Sequence, residues 1–206
     1  DAVRAAAAQI GDRIAMCHRS IEPGFQAEAF TAMQAELKPA VLVANVEDAL
    51  RRQRMVKDAF EVAQHRAAIA RTADGLRTVL PRLRTLPSEA AVAAELTLHY
   101  RRHDWAPLAF PHIVGGGVGG ATLHYPFNDR PLAPKAPILI DSGATAGGYC
   151  ADVTRSVPRH GRFDDARYRR VYELVLASNQ LVRRSAKPGM TLKQLNDIAW
   201  QPITEA

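Results

Sequence analysis

The chain has 206 residues, 47% apolar and 23% charged, which excludes wholesale disorder and suits one ordinary domain with or without part of another. No apolar run approaches the roughly 18–20 residues that cross a bilayer, no secretory leader opens the sequence, and Cys17 and Cys150 are too few for a disulfide framework, so a cytoplasmic protein with no membrane contact is expected. The formal net charge is +6, but only five of the 27 basic residues are lysines and the arginines are scattered, which fits a solvated surface and predicts no nucleic-acid partner.

Residues 1–36 read as helix with a break at Glu22-Pro23-Gly24. Ala40-Val41-Leu42-Val43, behind Pro39, reads as a strand. Asn45 is a candidate N-cap for a long helix over about 46–80, in which Leu50, Met55, Val62, Ile69 and Leu76 would form one buried stripe. A second helix is expected from Ser88, its N-cap, to about His103. Between Phe110 and Pro158 glycine, proline and β-branched residues dominate, which predicts short antiparallel strands over 136–144 and 149–157. Helix returns over about 164–186, with Tyr168, Val171, Tyr172, Val175 and Val182 along one side. Thr191-Leu192-Lys193-Gln194 has the form of a capping box and opens a last helix shortly before Ala206.

The chemistry lies in Ile138-Leu139-Ile140-Asp141-Ser142-Gly143-Ala144 and the segment Gly147-Gly148-Tyr149-Cys150-Ala151-Asp152-Val153-Thr154-Arg155. Aspartate is depleted in strands, and here one sits inside each of two apolar ones. With Ala146-Gly147 as the tip of a hairpin, Asp141 would stand directly opposite Asp152 on one face. Two ionised carboxylates so close repel, and burial strengthens the repulsion. One acid can stay protonated, an arginine can bridge them, or a divalent cation can sit between them. Arg155 is turned to the opposite face by strand alternation, which leaves proton sharing or a hard cation such as manganese, cobalt or zinc. A hairpin whose carboxylates merely face water is the bland alternative.

"LIDSGATAGGYCADVTR" resembles the two-strand metal motif of the pita-bread metallopeptidases, the family of aminopeptidase P, prolidase and the metal-free creatinase. "FPHIVGGGVGGATLHYPFND" upstream, "VPRHGRFDDARYRRVYELVL" and "KPGMTLKQLNDIA" downstream follow in family order. "LRRQRMVKDAFEVAQHRAAIA" resembles the family's opening helix, with Arg54, Lys57 and Glu61 in its usual pattern, so the resemblance covers roughly residues 40–200. It implies an α+β fold, the N-terminal part of a pita-bread (creatinase/aminopeptidase) domain with an antiparallel sheet covered by helices. Residues 46–206 would belong to that catalytic domain and residues 1–45 to a remnant of an N-terminal one.

The resemblance also implies two divalent metal ions, with Asp141 binding one and Asp152 bridging both, and His124 as the catalytic histidine that hydrogen-bonds the substrate or the tetrahedral intermediate. Such metals polarise a peptide carbonyl and lower the pKa of a shared water. The implied substrate is a peptide with proline at the second position, cleaved before the proline by an Xaa-Pro aminopeptidase, with an Xaa-Pro dipeptidase or a non-catalytic binding module on the same fold as alternatives. The implied assembly is a homo-oligomer. The family's remaining ligands, a histidine and two glutamates, have no counterpart in family context, since beyond Asp152 only His160, Glu173 and Glu205 carry those side chains. The chain is therefore expected to be C-terminally truncated and inactive by itself.

Other motifs have plainer readings. Gly115, Gly117 and Gly120 satisfy G-x-G-x-x-G, but residues 121–126 read as strand and turn rather than helix, so the glycines are expected to allow a close backbone approach. His99 and His103 lie four apart, and a solvated basic helix face is expected rather than a zinc site. Cys150 is expected to fill space beside Asp152, and His112 and His160 to be loop or strand-edge residues without a special role.

Overall fold

The computed structural model describes residues 13–16, 35, 42–45, 47–102 and 107–205. They fall in two compact units, Asp1–Phe60 and Glu61–Ala206. In the first, β1 (Arg13–Met16) pairs in parallel with β2 (Leu42–Asn45), and α1 (Glu47–Met55) follows. A strand thus replaces helix at 13–16, while the rest of the helical expectation over 1–36 lies outside the described residues apart from Ala35, which is helical. Asn45 closes β2, and its side chain lies outside the described residues.

The single helix expected over 46–80 is divided at Val56-Lys57-Asp58, where α1 ends and α2 (Ala59–Val79) begins. Asp58 immediately precedes α2, where a carboxylate suits the unpaired N–H groups. The expected stripe is not the buried one. Leu50, Met55, Val62 and Ile69 are exposed, and α2 buries Ala68, Thr72, Gly75, Leu76 and Val79. A seven-residue spacing drifts about 20° per repeat around a straight helix, so such a stripe leaves the contact face. Gly75 marks that face, because a side chain there would run into the Tyr100 ring.

After a 3-10 turn at Leu80–Arg84, Ser88 caps α3 (Glu89–Arg101), its hydroxyl accepting from the Ala91 N–H at 3.2 Å. The sheet is β3 (Ile113–Gly116), β4 (Pro137–Ser142) and β5 (Val153–Pro158), all antiparallel with β4 in the centre. Ile138, Ile140 and Ser142 of β4 are buried, whereas Pro137, Leu139 and Asp141 alternate onto the other, half-buried face. The buried face packs with Leu76, Val79, Leu83, Val92, Leu96 and Tyr100, so α2 and α3 cover one side of the sheet. This is the expected α+β class. Arg159, just past β5, donates to the carbonyls of Leu83, Leu86 and Leu132 and ties the strand end to the turn before α3.

α4 (Ala166–Ser185) and α5 (Leu192–Thr204) pack on each other, with the Ser178 hydroxyl donating to the Ala199 carbonyl at 2.7 Å. The capping box at Thr191 and Gln194 forms as expected. The apolar side of α4 is less covered than its pattern predicts, since Tyr168, Val171, Tyr172 and Val175 are exposed.

A polar cluster fastens the helices to the strand just past Asp141. The Tyr100 and Ser142 hydroxyls are 2.7 Å apart, and the Thr72 hydroxyl donates to Ala68 O and accepts from Ala144 N at 2.9 Å. His112, expected to have no special role, is 5% exposed, packs edge-on to Tyr100, and finds no hydrogen-bond partner for either ring nitrogen. Burial, with the Arg101 charge adding to it, pushes its pKa down to about 4.

The unfolded chain takes up that proton near pH 6.5 and the folded one only near 4, so stability is fully present above 6.5 and is lost as pH falls between the two values. The expected loss is about 3 kcal/mol. Urea unfolding at pH 7 and pH 4 should show it in the wild type and not in His112→Leu; an equal acid loss in both would contradict the assignment.

Candidate metal centre

The strands expected over 136–144 and 149–157 are interrupted, at 143–144 and 151–152, so Asp141 lies in β4 whereas Asp152 lies just before Val153–Pro158, and a tight turn joins the two sides. Thr145 faces Cys150 and Ala146 faces Tyr149, which leaves Gly147 and Gly148 as the turn residues, with φ of +54° and +83°. A two-residue turn of this hand needs positive φ at both positions, and glycine takes it without strain. The expected tip, Ala146-Gly147, is thus wrong by one residue. In the same register, on the ladder of the three-stranded sheet, Ser142 faces Val153 and Asp141 faces Thr154. Asp152 therefore stands diagonal to Asp141 rather than directly opposite, but on the same face. Diagonal neighbours are about 7–8 Å apart at Cα and closer at Cβ, still within side-chain reach.

The two carboxyl groups are close enough to perturb each other. Desolvation pushes the Asp152 carboxyl above its usual range, and the Asp141 carboxylate, near enough to repel it and to share a hydrogen bond, pushes it further. Asp141 Oδ1 is buried with no hydrogen-bond partner. Arg155 does not bridge the pair; its Nη1 donates to the Thr154 carbonyl at 2.7 Å. The donor set is hard oxygen from two carboxylates, one with an unsatisfied buried atom, which fits a divalent cation and also fits a shared proton. Among the described residues no group of three or more His, Cys, Asp and Glu side chains could hold a metal ion, so the pair supplies part of a coordination sphere.

Between the aspartates the backbone is crowded. Ala151 N donates to Ala144 O at 2.9 Å, Ala109 N donates to Gly143 O at 3.0 Å, and the Thr145 hydroxyl donates to Pro107 O. A Cβ on Gly143 would fall inside the van der Waals sphere of the Ala151 carbonyl oxygen and lie 2.9 Å from the Ala109 methyl.

His124 is exposed and has φ of +51°, a left-handed conformation uncommon for a residue with a side chain. The expected strand over 121–126 is absent; Gly119–Ala121 is a 3-10 turn and irregular chain follows. A Cβ on Gly115 would lie 2.6 Å from the Gly120 nitrogen, so these glycines do permit a close approach of backbone to backbone. Cys150 is exposed rather than packed beside Asp152. His99 is not on a solvated face, since only 14% of its side chain is accessible and Nε2 lies 2.9 Å from Asp74 Oδ2; His103 lies outside the described residues. Two open concavities of about 780 and 440 Å³, one beside Lys135 and Asp164 and one beside Arg84 and Arg159, include none of Asp141, Asp152 and His124.

Three residues missed in the sequence hold the His124 loop: Glu89, Tyr125 and Asn128. Glu89, fully buried, accepts from the N–H groups of Gly116 and Arg130 and from the Tyr125 hydroxyl. Asn128 Oδ1 accepts from Val114 N and Nδ2 donates to His112 O, both at 2.7 Å. A glutamate in a first helical turn reads from sequence as a favourable partner of the helix dipole, and nothing local marks its other bonds.

An antiparallel sheet thus has helices on one face and two carboxylates, Asp141 and Asp152, on the other, a donor set that fits a divalent cation. The family model described as metallopeptidase family M24 matches residues 63–206, and the chain belongs to that family. It is 32% identical to the Xaa-Pro aminopeptidase of Haemophilus influenzae over 148 residues, 72% of this chain and 34% of that protein. It is 29% identical to the mitochondrial intermediate cleaving peptidase 55 of Arabidopsis thaliana over 143 residues, 69% of this chain and 29% of that protein. The X-Pro aminopeptidase structure from Thermotoga maritima superposes with a TM-score of 0.78 at 26% identity, over 100% of this chain and 57% of that one. The chain thus spans about a third of the length of these curated relatives.

Proposed function

We propose that the protein is a metal-dependent Xaa-Pro aminopeptidase, with Asp141 and Asp152 as two of its metal ligands and His124 as a substrate-binding residue. The observation that carries this reading is the convergence of the two carboxylates, one with a buried oxygen that no hydrogen bond satisfies. Manganese is the metal we favour, with cobalt and zinc chemically acceptable to the same oxygens. When bound, such ions supply Lewis-acid polarisation of a peptide carbonyl and an activated water near neutral pH.

The chain's own residues do the rest. Asp141 and Asp152 bind through oxygen and balance the cation charge. The exposed His124 ring is free to donate to the oxygen of the peptide bond under attack, and a strained left-handed residue is what a positioned functional group often costs. A proline after the scissile bond has no N–H to offer and a fixed φ, so recognition must come from shape. We assign residues 46–206 to the catalytic domain and residues 1–45 to a separate N-terminal one, and we expect a homo-oligomer in the cytoplasm, where an exposed free thiol such as Cys150 is stable.

The full-length protein loaded with manganese should cleave a peptide with proline at position two and leave its alanine counterpart nearly untouched. Cleavage of both peptides at equal rates would reject the specificity; cleavage of neither, with metal bound, would favour a binding module. Residues 1–206 alone, given manganese, should show no turnover, because the described part holds no third ligand. Robust turnover by that polypeptide would overturn the incomplete-site argument.

A further inference from the structure

We propose that Glu89 and Tyr125 are positioning residues for His124, a buried brace that holds the loop over 122–130 in the one conformation that presents the histidine. The inference rests on the reading of His124 as a substrate-binding residue.

Glu89 sits in the first turn of α3 with no accessible surface, and both its oxygens are used. Oε1 accepts from Gly116 N at 2.8 Å; Oε2 accepts from Arg130 N at 3.0 Å and from the Tyr125 hydroxyl at 3.1 Å. Its backbone N–H donates in turn to Arg130 O at 3.0 Å. One side chain therefore ties the end of β3 and the far end of the His124 loop to a helix start. A glutamine could not replace it fully, because its amide would set a donor against an N–H donor.

Tyr125 is the residue next to His124, and it is 2% exposed whereas His124 is exposed. Its hydroxyl donates to Asp129 Oδ1 at 2.7 Å and also reaches Glu89, and these bonds push the phenol pKa up to about 12. Its ring packs against Gly119, where a Cβ would meet ring carbons at 3.3 Å. The loop holds two non-glycine residues with positive φ, His124 at +51° and Asn128 at +50°. Such conformations persist only where the surroundings over-determine them. Tyr125 supplies that constraint beside His124, and Asn128 supplies it at the second position through its two bonds to β3 and the residue before it.

The test uses the full-length, manganese-loaded enzyme and an Xaa-Pro peptide, with bound metal, kcat, KM and amide hydrogen exchange measured for Tyr125→Phe, Glu89→Gln, His124→Ala and Tyr125→Phe/His124→Ala. Tyr125→Phe should lower kcat about tenfold or more, leave bound metal unchanged, and speed exchange over 122–130 but not in α2 or β4. In the His124→Ala background the same change should cost less than about twofold, since the group it positions is gone. Glu89→Gln should follow the same pattern, and Tyr125→Phe, which removes one oxygen, decides the matter where Glu89→Gln fails to fold. Equal losses in both backgrounds, or unchanged exchange over 122–130, would overturn the proposal. Wild-type turnover by His124→Ala would instead reject the role of His124, and the exchange result would still decide whether the brace exists.

Discussion

Asp152→Asn in the full-length protein should abolish stoichiometric metal binding and lower kcat/KM about a thousandfold, the scale of losing several kcal/mol of charge stabilisation by a metal. Asparagine keeps the shape of the side chain and one oxygen, but it removes one of two negative charges and the bridging capacity of a carboxylate. Without a cation those charges repel each other, which adds to the desolvation that raises the Asp152 carboxyl. The variant freed of metal should therefore melt no lower than the wild type freed of metal, while the metal-loaded wild type should melt higher than both. Metal analysis by mass spectrometry, peptide kinetics and melting curves test the three statements together. Equal metal content in wild type and variant would refute the role of Asp152; a metal-free variant that melts much lower would mean the aspartate acts in folding instead.

Gly143→Ala is expected to be nearly as damaging by a different route. The new methyl would occupy the space of the Ala151 carbonyl oxygen, and that oxygen belongs to backbone rather than to a side chain that can swing away. Relief requires the segment that carries Asp152 to move, although Ala151 N is held by Ala144 O. The cost should be about 4 kcal/mol, above the ordinary range for an added methylene because the obstacle is rigid. The same movement should separate Asp152 from Asp141, so metal binding should be lost even at temperatures where the variant is folded. Melting curves and metal analysis at low temperature measure the two effects; a variant that melts like the wild type and binds metal normally would show that the strands have slack the structure does not suggest.

The two carboxylates are legible in the sequence because each is an acid in a stretch that otherwise reads as an apolar strand, and because a two-residue turn pairs odd positions on one side with even positions on the other, which puts 141 and 152 on one face whichever turn forms. Their diagonal placement is not legible. It depends on whether the turn is Ala146-Gly147 or Gly147-Gly148, and two adjacent glycines permit either choice until the rest of the ladder selects one. The capping residues Ser88 and Thr191 are readable for the same local reason, since a cap is satisfied by bonds spanning three residues.

Periodicity misleads where the partner matters. The line Leu50, Met55, Val62, Ile69 and Leu76 is apolar, yet α2 buries the side bearing Ala68 and Gly75, because α3 comes close only where side chains are small. Nothing local marks the buried roles of His112 and Glu89: they arise from residues between 11 and 41 positions away, brought to them by the packing of α3 against the sheet.

Short-range bonding and the pattern of apolar residues are enough to single out the capping residues Ser88 and Thr191 and the two aspartates, so these can be read from the residues in order. Three other features took shape only when the chain packed: the helix face that is buried, the register that sets Asp141 diagonal to Asp152, and the buried bonds that hold His124 in a left-handed conformation. Those features depend on desolvation and on partners far along the chain, and no stretch of residues encodes its distant neighbour.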